Sequence, residues 1–355
     1  MITKKQRTAQ PVHIVRVDTP RGMSDTDVEL QAQNLKAGLG ALRVYPLNVQ
    51  RGGTTDFCVV LDDLISEPFP SGTPSGAEYF DLEGLQDGWV PVGIDDLGEV
   101  VELPIYTEKQ GGSRILIAGS SGSGKSTVPN NILASCLRAG NYEVWLADPQ
   151  LQTFGAYAPY VDRVASSVED ICEMVSDLNA LKDDRVAAYQ RLGFDNYQAP
   201  AQGRPIVLIL EELSAMTDTN PDKKSRMQFE ADFTSLAQRA RKAGITLVVS
   251  MQVSSADTIP SRARSQFDIR IAHQLAQASD TQMILPSHPE DAPQPHGMGG
   301  SLRRDGNRTT AGLFVIGGES VDRARLARGW FINKNDFAET YLANQETPSI
   351  VNISK

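Results

Sequence analysis

Nine consecutive residues, Gly119–Thr127, combine residue types and a spacing that suit phosphate binding. Their sequence, G-S-S-G-S-G-K-S-T, fits the pattern G-x-x-x-x-G-K-[ST]. Glycines let the backbone pass close to phosphate oxygens, Lys125 brings a positive charge to the outer phosphates, and the hydroxyl of Ser126 is a ligand for Mg²⁺. We therefore predict that ATP and Mg²⁺ bind here, through Gly119, Ser120, Ser121, Gly122, Ser123, Gly124, Lys125, Ser126 and Thr127. A plain Gly/Ser-rich turn is the alternative.

Two acidic residues close an apolar run further along the chain. Ile206–Leu210 is continuously apolar, and Glu211 and Glu212 follow it directly. In ATPases with a phosphate loop, the first acid of such a pair holds Mg²⁺ and its water, and the second polarises the attacking water. We assign the metal role to Glu211, where aspartate is more usual, and the catalytic role to Glu212. Two exposed acids that merely close a strand are the alternative.

A third candidate is an amide at the end of another strand. The run Ile245–Gln252 predicts a buried strand that ends in a glutamine. The side chain of Gln252 can donate a hydrogen bond to the γ-phosphate and so sense whether that group is present. We therefore add Gln252 to the candidate catalytic residues, the alternative being a polar strand end with no role.

Strands and helices alternate around these residues. Arg114–Ala118 predicts a buried strand before the phosphate loop and Ser126–Arg138 a helix after it, which is the context that the loop needs. Continuously apolar strands are covered on both faces, so we expect an α/β fold with a mostly parallel sheet. Further strands are predicted at Tyr142–Ala147, Pro205–Leu210, Ile245–Ser250, Ile269–Ala272 and Leu313–Ile316, and further helices at Val168–Leu192 and Ser225–Lys242.

Four segments are predicted along the chain. Residues 1–63 form a small α/β domain, in which strands surround a helix that ends near Leu39. Residues 64–89, rich in proline, glycine and serine, form a linker or long surface loop. Residues 90–320 form the ATPase core. Residues 321–355 form a C-terminal tail segment, which we expect to pack as ordinary structure.

Composition and charge restrict the class of protein. The 355 residues are 40% hydrophobic and 22% charged, as in ordinary globular proteins, and no apolar run is long enough to span a membrane. The first eight residues lack the apolar segment of a secretory signal, so we expect a cytoplasmic protein. Widely spaced Cys58, Cys136 and Cys172 indicate buried free thiols. The net charge is −10, but basic residues outnumber acidic ones over residues 221–330.

Several motifs resemble those of the FtsK/SpoIIIE DNA translocases, in one order over residues 90–316. Arg239–Gln252 resembles the family's block R-A-A-G-I-H-L-V-L-A-T-Q, and Ala147–Pro149 resembles its I-D-P-K motif, with Gln150 in place of the lysine. Further similar stretches are Pro91–Val100, Phe267–Ala272, Ser279–Leu285 and Gly297–Gly300. The resemblance implies a RecA-like core that assembles as a homo-oligomeric ring, a hexamer, around double-stranded DNA.

The resemblance also implies roles for basic residues. Arg185 matches the arginine of the family's E-R-R-Y element, which implies an arginine finger that acts on the γ-phosphate of a neighbouring subunit. A helix-surface arginine paired with nearby acids is the alternative. Lys223, Lys224 and Arg226 match the family's G-K-K pore loop, which implies DNA phosphate contacts without reading of sequence. An ordinary solvated turn is the alternative there.

A second pore loop is implied at Leu192–Asn196, with Asp195 where the family often has an arginine. Together these features predict an ATP-dependent double-stranded DNA translocase, of the compact type that conjugative plasmids, integrative elements or phages carry. A membrane or transfer-complex partner would recruit it to the inner face of the membrane. One alternative is an EccC-like or coupling-protein ATPase that moves proteins, which Asp195 and the net charge favour. Another is a nucleotide-gated binding module with little turnover, which Glu211 and Gln150 favour.

Overall fold

The computed structural model describes residues 12–20, 22–49, 53–61, 65, 87–199, 202–218, 220, 222–252, 259–286, 288, 292–300, 309–319, 321 and 324–342. The chain divides into two compact units, Met1–Glu67 with Ile94–Glu99, and Pro68–Gly93 with Val100–Lys355. Most of the predicted linker, residues 64–89, lies outside the described residues. Among the helices of these ranges, none is both long and apolar enough to cross a membrane.

The first unit is a small antiparallel sheet with one helix. The core of this unit forms where Val28 and Ala32 of the helix pack against Phe57 of the sheet. The strand order is the first, third and second along the chain. The elements are β1 (Val12–Thr19), α1 (Asp25–Leu39), β2 (Arg43–Val49) and β3 (Gly53–Val60). The described residues thus form a small α/β unit here, and the bounds of the predicted domain, residues 1–63, stay a prediction.

The second unit is built around a ten-stranded sheet. The strands that follow along the chain are β4 (Trp89–Asp95), β5 (Val100–Pro104), β6 (Tyr106–Thr107), β7 (Gly111–Gly112), β8 (Arg114–Ala118), β9 (Glu143–Ala147), β10 (Arg163–Ala165), β11 (Ile206–Leu210), β12 (Ile245–Met251), β13 (Ile269–Ala272), β14 (Leu313–Gly317) and β15 (Arg325–Gly329). β6 and β7 pair with each other, and the sheet has the order β10-β9-β11-β12-β8-β13-β14-β15-β4-β5. The strands from β10 to β13 in that order are parallel, and β14 and β15 are antiparallel. The mostly parallel sheet is confirmed.

Helices cover both faces of this sheet. Alternate residues of a strand point to opposite faces, and in β8 Ile115 and Ile117 join one core while Leu116 and Ala118 join the other. The first core packs against the helix Thr127–Ala139, and the second packs against the helices Val168–Arg191 and Lys223–Arg239. The helices are α2 (Thr127–Ala139), α3 (Val168–Arg191), α4 (Ser214–Thr217), α5 (Lys223–Arg239), α6 (Ser261–Arg264), α7 (Ala278–Ile284) and α8 (Lys334–Phe337). Short 3₁₀ segments at Pro149–Leu151, Gly155–Tyr160, Ala240–Ala243 and Pro295–Gly297 and a π turn at Ala338–Leu342 complete the described elements.

Parallel pairing brings the candidate residues to one edge of the sheet. β11 lies between β9 and β12, and β12 pairs with β8. The carboxyl ends of parallel strands meet at the same edge, where open α/β sheets bind ligands. The phosphate loop after β8, the acids after β11 and Gln252 after β12 therefore meet there.

The start of α5 differs from the sequence prediction. The helix begins at Lys223, two residues earlier than predicted, because the side chain of Asp222 accepts a hydrogen bond from the N–H of Lys224 at 3.0 Å. Lys223, Lys224 and Arg226 are therefore helical and do not form a loop. The prediction of a loop at these residues was wrong in its local structure.

The predicted tail also differs, because part of it belongs to the sheet. β15 lies beyond residue 320 and pairs antiparallel with β14, so the core does not end where the sequence suggests. Arg328 of β15 is only 1% exposed, and its guanidinium donates to the carbonyl oxygens of Ala311 and Thr309. A basic residue that is satisfied by buried carbonyls looks like a surface residue in the sequence alone. Residues 343–355 lie outside the described ranges.

Candidate nucleotide site and the residues around it

The phosphate loop connects β8 to α2 and has the backbone of an anion-binding turn. Gly122 and Gly124 have φ angles of +73° and +84°, which glycine adopts readily. A side chain at Gly124 would place its Cβ 2.1 Å from the nitrogen of Gly312, so that position also has no room for one. Ser126 precedes α2 without using its side chain as a cap. Amides at the start of α2 and the Ser126 hydroxyl are thus available to phosphate and a cation.

Lys125 lies between the two predicted acids. Its Nζ is 3.0 Å from Oε1 of Glu211 and 3.5 Å from Oε2 of Glu212. The side chains of Lys125 and Glu211 are 10% and 7% exposed. A nearly buried ion pair of this kind requires further hydrogen bonds to offset the loss of hydration. Nζ of Lys125 has one at 3.4 Å, to Oγ of Ser250.

Glu212 has an unusual backbone and a well-oriented carboxylate. Its φ angle is +53°, a conformation that is uncommon for residues other than glycine and concentrated at functional sites. Oε1 accepts hydrogen bonds from the hydroxyl of Ser214 and, at 3.4 Å, from the main-chain N–H of Gln252. The side chain is 26% exposed, so water can reach it. These features suit a group that polarises an attacking water.

Gln252 lies beside Glu212 through its main chain. The contact with the carboxylate is made by the N–H of Gln252, and its side chain is exposed. The structure therefore brings this residue to the site, but the predicted γ-phosphate contact by its amide remains a prediction.

Two residues of the site were not among the sequence candidates. Ser250 donates a hydrogen bond through its hydroxyl to Oε2 of Glu211. Asp148, at the end of β9, is 1% exposed and accepts hydrogen bonds from the N–H groups of Thr153 and Phe154, at 3.0 and 2.6 Å. Burial raises the pKa of Asp148, and the charge of Glu211 acts in the same direction. The signal for Ser250 was a polar residue in an apolar strand, and the signals for Asp148 were its place at a strand end and in the stretch Ala147–Pro149 that resembles the I-D-P-K motif.

A buried histidine, His273, packs against the start of the phosphate loop. His273 follows β13, its main-chain N–H donates to the carbonyl oxygen of Ala118 at 2.8 Å, and its ring lies 5.7 Å from that of Phe314. A side chain at Gly119 would place its Cβ 2.8 Å from Cβ of His273. The backbone of the phosphate loop is therefore packed closely against His273. Burial lowers the pKa of His273 to about 3, and the charge of Lys125 acts in the same direction. The imidazole under the loop is therefore neutral.

Arg185 does not have the surroundings expected of an arginine finger. It is 8% exposed, and its guanidinium donates to the carbonyl oxygens of Ala243 and Arg204 at 3.2 and 3.0 Å. The same group lies over the ring of Tyr197, 4.2 Å from its centroid. An arginine that acts on another subunit needs an exposed guanidinium, whereas this one is occupied within its own chain. The structure instead gives Arg185 the contacts of a structural residue.

The predicted DNA-contacting residues lie at the start of α5. Lys223 and Lys224 are exposed and Arg226 is half-buried. A shallow groove beside them is lined by Asp222, Lys223, Lys224, Met227 and Gln228. At the second predicted pore loop, Leu192 and Phe194 are 63% and 46% exposed. These residues keep their DNA role as a prediction.

The site has suitable groups for ATP and Mg²⁺. Serine hydroxyl and carboxylate oxygens, as in Ser126 and Glu211, are the hard ligands that Mg²⁺ prefers. In the described ranges, no cluster of three or more His, Cys, Asp or Glu side chains is arranged to hold a metal ion. A cation at Ser126 and Glu211 would therefore depend on phosphate oxygens as well. When bound, Mg²⁺ neutralises charge on the outer phosphates.

Comparison with known proteins supports this assignment of the fold. Residues 86–206 match the model of the FtsK/SpoIIIE family. Over these residues the chain is similar to the FtsK/SpoIIIE family. The resemblance seen in the sequence motifs is therefore confirmed.

Relatives in this family are much longer than this chain. Protein Tra of Streptomyces lividans is 27% identical over 268 residues, 71% of this chain and 40% of that protein. The DNA translocase FtsK of Oceanobacillus iheyensis is 29% identical over 213 residues, 54% of this chain and 25% of that protein. The DNA translocase SpoIIIE of Bacillus subtilis is 27% identical over 192 residues, 48% of this chain and 24% of that protein. The chain thus spans 40% or less of their lengths.

Solved structures share the fold of this chain. The monomer of the pCW3 conjugation coupling protein TcpA, determined with ATPγS, has a TM-score of 0.63 at 16% identity, over 94% of this chain and 91% of that one. The cytoplasmic domain of the type VII secretion ATPase EccC of Thermomonospora curvata has a TM-score of 0.55 at 14% identity, over 74% of this chain and 32% of that one. The RecA-like P-loop ATPase fold expected from the sequence is confirmed.

Proposed function

We propose that this chain hydrolyses ATP with Mg²⁺ and that a homo-oligomeric ring of it, a hexamer, uses the energy to move double-stranded DNA. The process served would be transfer of a conjugative plasmid or integrative element. Support comes from the similarity to the FtsK/SpoIIIE family, from relatives named as DNA translocases and from the similarity to Protein Tra. We place the protein in the cytoplasm, recruited to the inner face of the membrane by a partner.

The placement of Lys125 between Glu211 and Glu212 is the observation that carries hydrolysis. Lys125 is the group that phosphate oxygens would attract, and its departure would free both carboxylates. Glu211 would then face the cation with Ser126. Glu212, which the Ser214 hydroxyl and the N–H of Gln252 hold in place, would face the attacking water.

The exposed basic turn of α5 supports DNA as the cargo. Lys223 and Lys224 carry positive charge on the surface near a helix N-terminus, where the amides add to the attraction for phosphate. No base-reading contact is needed for a motor that must follow any sequence. The position of these lysines after the acids of β11 would let a change at Glu212 be passed to α5 through α4.

A second candidate function is the movement of protein, which one observation favours. Leu192 and Phe194 expose apolar side chains beyond the end of α3, and Asp195 stands between them and Asn196. An apolar, acidic tip suits an unfolded polypeptide better than a phosphate backbone. The fold shared with EccC is compatible with this alternative. A binding module without turnover is less well supported, because Glu212 is oriented for chemistry.

The experiment that tests the proposal compares ATPase rates with and without duplex DNA. We expect DNA to stimulate the wild-type chain. Glu212→Gln should still bind ATP but lose hydrolysis by about 10²–10⁴-fold, the usual value of a general base, whereas Lys125→Ala should lose turnover by loss of phosphate contacts. Stimulation by an unfolded polypeptide, but not by DNA, would favour the second candidate. Normal turnover in Glu212→Gln together with an inactive Glu211→Gln would reverse the roles of the two acids.

A further inference from the structure

Lys334 is distant in sequence from the phosphate loop, yet it contacts the loop that follows β9. It is the first residue of α8 and is half-buried. Its Nζ donates a hydrogen bond to the carbonyl oxygen of Thr153 and lies 5.5 Å from the centroid of the Phe154 ring. Two contacts therefore fix one ammonium group against one loop.

The same two loop residues hold the buried carboxylate of Asp148. The N–H groups of Thr153 and Phe154 donate to one oxygen of Asp148, at 3.0 and 2.6 Å. The segment from Asp148 to Phe154 contains no basic residue of its own. The positive charge beside this loop is thus supplied by Lys334, through residues that also orient Asp148.

Asp148 lies next to the catalytic acids at the edge of the sheet. Ala147 pairs with Leu210 in register, and the N–H of Glu211 donates to the carbonyl oxygen of Ala147 at 2.8 Å. Burial lowers the pKa of Lys334, while the charges of Asp148 and Glu211 act in the opposite direction. Both carboxylates thus favour the charged form of Lys334, whose direct contacts are with Thr153 and Phe154.

We propose that Lys334 is a positioning residue of the nucleotide site, which holds Asp148 and Glu211 in place when Lys125 turns from the acids to bound ATP. Lys125 is 3.0 Å from Glu211 in the structure, and it cannot neutralise that carboxylate and the outer phosphates equally well. Lys334 then keeps a positive charge against the loop whose N–H groups orient Asp148. The inference rests on the hydrolysis part of the proposed function and does not depend on the cargo.

The test measures steady-state hydrolysis of ATP by the full chain in the absence of DNA. Lys334→Met removes the charge and the hydrogen-bond donor and keeps most of the apolar length of the side chain. We expect kcat to fall about tenfold with KM changed less than about twofold, because the lost contact orients the acids and does not bind the nucleotide. Lys334→Arg keeps the charge and a donor for the carbonyl oxygen of Thr153, and it should retain most of kcat.

Arg138→Met is the matched control. Arg138 lies over the ring of Tyr341, 4.9 Å from its centroid, and so holds the same C-terminal segment through a cation–π contact away from Asp148. It should leave kcat unchanged. A wild-type kcat in Lys334→Met, a change in KM alone, equal losses in Lys334→Arg, or an equal loss in Arg138→Met would overturn the inference.

The outcomes also separate this inference from the proposed function. A wild-type chain that hydrolyses ATP without stimulation by DNA would remove the translocase function and leave the role of Lys334 to be decided by the variants. A normal kcat in Lys334→Met, with stimulation by DNA, would remove only the role of Lys334. A chain that binds ATP without hydrolysing it would overturn both.

Discussion

The hydroxyl of Ser250 donates a hydrogen bond to Oε2 of Glu211, while Lys125 contacts Oε1 of the same carboxylate at 3.0 Å. One acid thereby connects three elements: the phosphate loop, the end of β11 and the interior of β12. We expect Lys125 to turn toward a bound phosphate, whereas Ser250, in β12, keeps its contact with Glu211. Ser250 would then hold Glu211 in one orientation during hydrolysis.

Replacement of Ser250 by alanine should lower turnover more than nucleotide binding. The change leaves Oε2 of a nearly buried Glu211 without its donor, which costs about 1–3 kcal/mol. We expect kcat to fall about tenfold, because a loosely held carboxylate places its cation less well. Steady-state kinetics and binding of a fluorescent ATP analogue would measure the two effects.

Ser135→Ala is the control for this prediction. Ser135 is fully buried in α2, and its hydroxyl has no hydrogen-bond partner among the described residues. Its replacement removes a buried hydroxyl without removing a hydrogen bond, so kcat and stability should change little. Equal losses in Ser250→Ala and Ser135→Ala would contradict the role of Ser250.

Arg185→Ala should destabilise the chain by about 2–4 kcal/mol, because two carbonyl groups lose their donor and Tyr197 loses a cation. Urea unfolding would measure this loss. Arg191→Ala, at an exposed position of the same helix, is the control and should have little effect on stability.

Mixing Arg185→Ala with Glu212→Gln subunits should not restore ATPase activity. Recovery of activity in such mixtures would show that Arg185 acts as an arginine finger on a neighbouring subunit.

The different outcomes for the acids and for Arg185 show what the sequence can reveal. Glu211 and Glu212 follow an apolar strand, and the parallel sheet then places them at one edge with Lys125. Residue type and spacing are therefore enough to predict where these two acids lie. Arg185 has a motif-like position, but its environment depends on the carbonyl oxygens of Ala243 and Arg204, which are remote in the chain. Because the groups that bury Arg185 come from distant parts of the chain, the sequence around Arg185 contains no pattern that would predict its burial.

Ser250 and Lys334 could not be predicted for related reasons. A serine in an apolar strand is compatible with many roles, and its partner becomes evident only when β11 and β12 pair. Lys334 lies in the segment predicted as a tail, and its neighbours come from the loop after β9. The start of α5 was predictable in principle, because Asp222 precedes it as a capping residue.

The stability of the protein should depend on pH through His273. The pKa of this residue is about 3 in the folded chain, against an ordinary value of 6.5. Between pH 3 and pH 6.5, His273 is protonated in the unfolded chain and neutral in the folded chain. The free energy of unfolding therefore falls as pH falls through this window, by up to about 1.4 kcal/mol per pH unit from this group. Above pH 6.5 the residue contributes no pH dependence.

His273→Gln should reduce this slope, as measured by urea unfolding at several pH values between 4 and 7. Carboxylates also titrate in this range, so the difference between the variant and the wild type is the quantity to compare. His13→Gln is the control, because His13 lies exposed on β1. A variant slope equal to that of the wild type would show that the imidazole of His273 is not excluded from water.

Replacement of Lys223 and Lys224 by alanine tests the DNA contacts. If these exposed lysines bind phosphates, duplex affinity should fall similarly for all sequences, and the slope of log affinity against log salt should decrease by about one unit per lost contact. Basal ATPase should be unchanged, while stimulation by DNA should fall. The thermal midpoint should not fall, because lysines at a helix N-terminus oppose the helix dipole by about 0.3–1 kcal/mol each.

The control for this double variant removes two cations elsewhere, Arg16→Ala with Lys36→Ala. Arg16 forms an exposed ion pair with Asp56, and Lys36 lies exposed in the last turn of α1. Water screens an ion pair as exposed as this one, so the fold should tolerate the change. This control lowers the net charge equally, and a general electrostatic effect would weaken DNA binding in both double variants alike. A loss of duplex affinity confined to Lys223→Ala with Lys224→Ala, together with a smaller salt slope, would place the DNA at the start of α5. Equal affinity and salt slope in that variant and the wild type would exclude DNA binding at the start of α5.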